Sequence, residues 1–262
     1  MRELWAYRNL LKRLVRRDFL LNYQQTMLGP VWILFQPILT LITYVLVFDK
    51  LVGISTGNIP PVLFYLAGIV LWNFFNDSFI GTAFTFRENA QIFSKVYFPR
   101  LVVPLSVMST HFMRFLLQFA LLMLVMAWYW VVEGVPVAIN GWILLLPFAL
   151  LIVGGVGLSL GLIFSVLTAK YRDLVTLVHL GVRLLMFLTP VIYPLAIIPE
   201  DIRWLVVLNP ISPLFELFRF ALFGEGTFTL LHLLYSAIFS FILMLVSFMA
   251  FNKQGDKLID VV

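Results

Sequence analysis

Six apolar runs, at 31–52, 62–84, 101–132, 141–168, 174–195 and 230–251, dominate this chain. A helix rises 1.5 Å per residue, so roughly twenty mostly apolar residues cross the hydrocarbon core of a bilayer. Inside that core every backbone polar group needs a partner within the protein, and a helix supplies one along its own length. Composition agrees. Of 262 residues, 62% are hydrophobic and 12% charged, whereas a soluble domain lies near half apolar and a quarter charged. The expected fold class is an all-α integral membrane protein with six transmembrane helices. Cysteine is absent, which removes disulfides and thiolate metal sites. The first thirty residues carry six Lys or Arg and no long apolar core, so no signal peptide is expected.

The third run is long, and a bend or interfacial turn is expected near Pro104. Between the fifth and sixth runs, prolines at 199, 210 and 213 divide an apolar connection into pieces too short to span. Such pieces suit short re-entrant or interfacial helices, tolerated where they are buried in protein or line a cavity. With six spans both termini share a side. That side collects Arg2, Arg8, Lys12, Arg13, Arg16, Arg17, Arg87, Lys95, Arg100, Lys170, Arg172, Lys253 and Lys257, against Lys50, Arg203 and Arg219 on the other. The bias predicts cytoplasmic termini in a bacterial inner membrane.

Leu4, Tyr7, Leu11, Leu14 and Val15 recur at helical spacing among the N-terminal cations. This predicts a basic amphipathic helix in the headgroup layer, serving either as a simple positive-inside anchor or to capture an anionic lipid headgroup.

Polar stripes mark three of the spans. Asn73, Asn76, Asp77 and Gly81 share a face of the second, and His111, Arg114 and Gln118 a face of the third. In the fifth, Thr176, His179, Arg183, Phe187 and Pro190 fall within an arc of about 80°. A charge at mid-membrane costs about 2.5–3.5 kcal/mol on insertion scales, so these residues should face protein or a wet cavity. Two readings stay open. Asp77 neutralises Arg114 and the stripes hold the bundle together, or the fifth-span stripe lines a pathway for something polar. Asp77 is one carboxylate against two arginines; an unmatched Arg183 suits an anionic cargo, and a helix C-terminus or a lipid headgroup would satisfy it too.

The fourth span carries Gly157, Gly161 and Ser165, a small-xxx-small ridge that lets another helix approach closely. The G-x-S-x-G around Ser159 lies inside an apolar helix, whereas a nucleophile elbow needs a strand-to-helix turn. The three histidines lie on separate segments without metal-ligand spacing. No G-x-x-x-x-G-K-[ST] phosphate loop occurs, so ATP hydrolysis would fall to another polypeptide. One Asp and a few Asn make a poor proton or sodium relay, and no acid, base and metal constellation for a membrane transferase is present.

Four stretches carry a resemblance through essentially the whole chain: "MLGPVWILFQPIL" (27–39), "NAQIFSKVYFPRLVVPLS" (89–106), "KYRDLVTLV" (170–178) and "LTPVIYPLAIIPEDIRWLVVLNPISPLFELFR" (188–219). Together they resemble the membrane subunit of the ABC-2 polysaccharide exporters, the permeases of O-antigen, capsule and teichoic acid. The resemblance implies a homodimer joined to two copies of a separate ATPase subunit that carries ATP and Mg. It implies a chain that binds no cofactor, catalyses nothing and contacts no nucleic acid. Residues 1–30 would form a cytoplasmic gate helix (about 4–22) and a Leu-Gly loop, Leu28 and Gly29, that meets the pyrophosphate of an undecaprenyl-linked glycan. Arg16 and Arg17 lie near enough in sequence to add charge there. Within the transmembrane domain of 31–252, a coupling helix at about 86–100 would present Arg87, Glu88, Lys95, Tyr97 and Arg100 to the ATPase, with "KYRD" as a second contact. Residues 196–229 would form periplasmic gate helices, and 253–262 a cytoplasmic tail. Aromatic faces bind sugar rings by apolar contact, which nominates Phe35, Tyr44, Phe187 and Tyr193 as a slide, with His179 and Arg183 facing the dimer channel. The expected cargo is lipid-linked O-antigen. Capsular polysaccharide, teichoic acid and then a small lipid or drug are the alternatives.

Overall fold

The computed structural model describes residues 7–89, 98–135, 140–171 and 173–258. Helix α1 (Arg8–Tyr23) leads through a turn into α2 (Trp32–Tyr44), which a single 3-10 turn precedes and a wider π turn extends to Leu51. Then come α3 (Pro61–Ala83), the short α4 (Thr85–Glu88), α5 (Val102–Val132), α6 (Leu146–Lys170), α7 (Leu174–Phe187), α8 (Glu200–Leu208), α9 (Ser212–Phe223) and α10 (Leu230–Leu258).

Five segments are long and apolar enough to cross a bilayer: Gly29–Leu51, Pro61–Ala83, Val102–Val132, Gly141–Lys170 and Leu230–Lys253. They match five of the expected spans to within a few residues. α3 is the hub. Of its most apolar stretch 78% is buried, against 17–22% for α2, α5 and α10. It lies against α2, α5 and α6. The glycine ridge of α6 makes its approach possible. A Cβ on Gly161 would stand 2.4 Å from the Thr82 Cβ, and one on Gly157 3.1 Å from the Phe75 carbonyl.

The fifth expected span, 174–195, departs from the forecast. Its helix ends at Phe187 after 14 residues, about 21 Å. Pro190 explains the stop, because the residue before a proline is pushed out of helical backbone. The chain continues as a non-helical segment in which Thr189, Val191 and Ile192 are buried. The Tyr193 hydroxyl donates to the Phe187 carbonyl at 2.6 Å, and the Asn209 amide to the Leu188 carbonyl at 3.3 Å and to the Thr189 hydroxyl at 2.8 Å. Irregular backbone at membrane depth thus finds partners within the protein. The Pro-divided connection folds as expected into a re-entrant pair, α8 and α9, bent by 96°. Pro199 precedes α8 and Pro213 opens α9, first-turn positions where a missing N–H costs nothing.

Pro104 likewise sits in the first turn of α5, so the expected bend is absent and the helix runs unbroken to Val132. The last helix runs past the expected tail boundary at 253, to Leu258.

Candidate functional site

The stripes of the second and third spans meet. Arg114 Nη1 is 3.7 Å from Asp77 Oδ2, and His111 Nδ1 is 3.9 Å from the same oxygen. Arg114 Nε donates to the Tyr23 hydroxyl at 2.7 Å, and its guanidinium lies 5.5 Å from the Tyr23 ring centre. A cavity of about 440 Å³ opens among these groups, walled also by Asp18, Glu88 and Asn89. Farther along, Asn73 donates to the Gln118 side chain at 3.2 Å, and Gln118 donates to the Ile33 carbonyl at 3.2 Å. Pro37, inside α2, explains the last bond. It has no N–H to return to Ile33 four residues earlier, so that carbonyl takes its proton from α5 instead. The structural reading of Asp77 and Arg114 therefore holds.

The fifth-span stripe behaves differently. α7 buries only Val178 and Val182, and the arc of Thr176, His179, Arg183 and Phe187 lies about 120° away from them at 100° per residue. All four are exposed on the subunit. Arg183 makes no hydrogen bond or ion pair among the described residues. His179 rests its ring on Phe84, centroids 5.3 Å apart. On the adjoining face, Leu177, Leu180 and Leu184 are each more than half exposed. A cation on an uncovered helix face needs a partner subunit, a wet lumen or lipid headgroups beside it.

The nominated aromatics divide. Phe35 and Phe187 are exposed. Tyr44 is half-buried, edge to face with Phe48 at 5.4 Å and Tyr65 at 6.3 Å, and donates to Met186 Sδ at 3.4 Å. Tyr193 is turned back onto α7, where its hydroxyl closes the helix end. Leu28 is exposed, and Gly29 adopts φ +53°, backbone that glycine takes without strain, so the chain turns sharply into α2 there.

Arg16 and Arg17 part company. Arg17 is held by Asp18 at 2.6 Å and reaches the Asn89 side-chain oxygen at 3.3 Å. Arg16 points the other way, into a groove between α1 and α5.

A constellation missed by sequence reasoning lies in the re-entrant pair. Glu216 and Arg219 are both buried and 3.6 Å apart. Arg219 donates to the Val191 carbonyl at 2.7 Å and lies 3.8 Å over the Phe64 ring. Glu216 accepts from the Leu195 and Thr227 amides at 3.3 and 2.9 Å. The signal was present as Glu-x-x-Arg in an apolar run, spacing that puts both on one helical face. Among the described residues no His, Cys, Asp and Glu cluster could hold a metal.

The model of the ABC-2 type transporter membrane family matches residues 9–223. The chain belongs to that family. It is 28% identical over 262 residues to an O-antigen export system permease protein of Klebsiella pneumoniae, covering 97% of this chain and 95% of the relative. The corresponding protein of Myxococcus xanthus is 30% identical over 231 residues, with 86% and 84% covered. Of the residues expected to face an ATPase, three can be placed, near where α1 packs on α5. Arg87 and Glu88 are exposed in α4, and Arg100 precedes α5. Desolvation at the cavity mouth pushes the Glu88 carboxyl up, opposed by Arg87 and reinforced by Asp18. Lys95 and Tyr97 lie outside the described residues.

Proposed function

We propose that this permease, as a homodimer with two copies of a separate ABC ATPase, exports undecaprenyl-diphosphate-linked polysaccharide, most specifically O-antigen, across the bacterial inner membrane. The near full-length similarity to O-antigen export permeases supports the cargo class. The observation that carries the mechanism is the uncovered face of α7, where Arg183 has no counter-ion among the described residues.

In the dimer this face borders the channel. Arg183 meets the anionic diphosphate or sugar acids, while Phe187 and Phe35 offer flat apolar contact to sugar rings. The Leu28–Gly29 turn receives the diphosphate at the end of the bundle where the cations gather, and both termini lie in the cytoplasm. ATP and Mg act on the partner subunit, and this chain supplies the pathway. Weak contacts suit the task, since each must release a sliding polymer as readily as it takes it.

The test is reconstitution with the co-encoded ATPase in liposomes. Diphospholipid-linked glycan should raise ATP hydrolysis several-fold and small amphiphilic drugs should not. Stimulation by drugs alone would replace this reading with a small-molecule permease.

A further inference from the structure

The groove between α1 and α5 has about 460 Å³ of space, within the range of small-molecule sites. Its floor is Leu11, Val15 and Phe19 from α1 and Met113 from α5, with Lys12 and Arg16 on the rim. These two cations are four residues apart on one helical face, where like charges repel. Neither is paired with an acidic side chain among the described residues, and no carboxylate lines the groove. The other flank of α1 is built oppositely, since Arg17 there carries its own neutraliser in Asp18. One side of the helix is neutralised by the protein, and the other presents two positive groups over an apolar trough.

The trough is held open. α1 is fixed to α5 by Tyr7, Leu10 and Leu14 against Phe98, Val102 and Val103, and at its far end by Tyr23 on Arg114. The groove therefore lies between two helices already in contact, and α1 belongs in the headgroup layer by its basic amphipathic character. An amphiphile with one acyl chain in the trough and a phosphate between Lys12 and Arg16 satisfies both halves.

We propose that this groove seats one anionic phospholipid of the surrounding bilayer, at a site separate from the cargo surface on α7. Charge complementarity selects a net-anionic headgroup over a zwitterionic one. The groove is lined by α1 and α5, and none of Thr176, His179, Arg183 and Phe187 lines it.

Native mass spectrometry of the full-length protein, delipidated in detergent and titrated with phosphatidylglycerol or phosphatidylcholine, tests this. One phosphatidylglycerol per chain should be retained, with phosphatidylcholine bound at least tenfold more weakly. Lys12→Gln/Arg16→Gln should weaken that retention about 30-fold, the effect of losing two headgroup cations. Met113→Trp, which fills the trough and leaves the charges intact, should also displace the lipid. Arg203→Gln, at the opposite end of the molecule, should not. Equal retention of the two lipids, or retention unchanged in both groove variants, overturns the proposal. So does displacement of phosphatidylglycerol by micromolar undecaprenyl diphosphate, which would assign the groove to the cargo.

Discussion

Arg114 is held 3.7 Å from Asp77, with both side chains about one-quarter to one-third exposed toward a polar cavity. The neighbouring Asn76 amide donates to the other Asp77 oxygen at 3.0 Å. Asp77 is thus the neutralising centre of the seam between α3 and α5. Asp77→Asn should leave the guanidinium facing the cavity without its ion-pair partner. Because water reaches this pair, the cost should be about 1–2 kcal/mol rather than that of a dry buried ion. A drop of a few degrees in the Tm of purified protein would fit. No change, with His111→Ala also silent, would mean that the seam does not stabilise the bundle.

Glu216 and Arg219 should be far more sensitive. Both are almost wholly buried, and removing one partner of a buried pair costs about 3–5 kcal/mol. Glu216→Ala also frees the Leu195 and Thr227 amides, so the re-entrant pair and the segment after α7 should loosen together. Limited proteolysis near residues 195–210 would report this. Arg219→Met should resemble it, while Arg219→Met combined with Glu216→Gln should be milder than either single change. Gly68 belongs to the same unit. A Cβ there would stand 2.5 Å from the Val191 carbonyl that Arg219 holds, so Gly68→Ala should displace that loop.

The glycine ridge allows a paired comparison. Gly161→Ala would place a methyl 2.4 Å from Thr82 Cβ and 2.9 Å from the Phe79 carbonyl, both on α3. Backbone cannot yield as a side chain can, so about 1–3 kcal/mol of stability should be lost. Gly181, on the open face of α7, has no such neighbour within 4 Å. Gly181→Ala should leave the subunit's Tm unchanged or slightly raised, helped by the better helix propensity of alanine. A similar loss at both positions would contradict the packing of α3 on α6.

Much of this was legible because hydrocarbon imposes one strong rule. Apolar length locates five spans, and helical spacing puts Asp77 and Arg114 each on a polar stripe of its span. The fate of residues 188–194 was not legible, because hydropathy is blind to where a carbonyl finds its proton. Pro190 hinted at the break, but only the folded chain shows Tyr193 and Asn209 closing it. Glu216 and Arg219 were overlooked for a related reason. A charge tally treats Arg219 as a loop cation, whereas the fold buries it over Phe64. Arg17 was grouped with Arg16 by adjacency, although consecutive residues on a helix point about 100° apart.

Arg183 offers the sharpest separation between a structural and a transport role. It touches no acidic group among the described residues, and α7 packs on the bundle through other residues, Val178 and Val182 foremost. Arg183→Ala should therefore leave subunit stability and dimer mass unchanged while lowering glycan export at least tenfold. Arg183→Lys keeps the charge but not the planar fork that grips phosphate or carboxylate by two bonds, so it should recover only part of the rate. Arg183→Glu should be worse than alanine, since it repels the same anion. Export by vesicles together with dimer mass measured on the same preparations distinguishes the cases. A dimer that falls apart in Arg183→Ala would move this residue from the pathway to the interface.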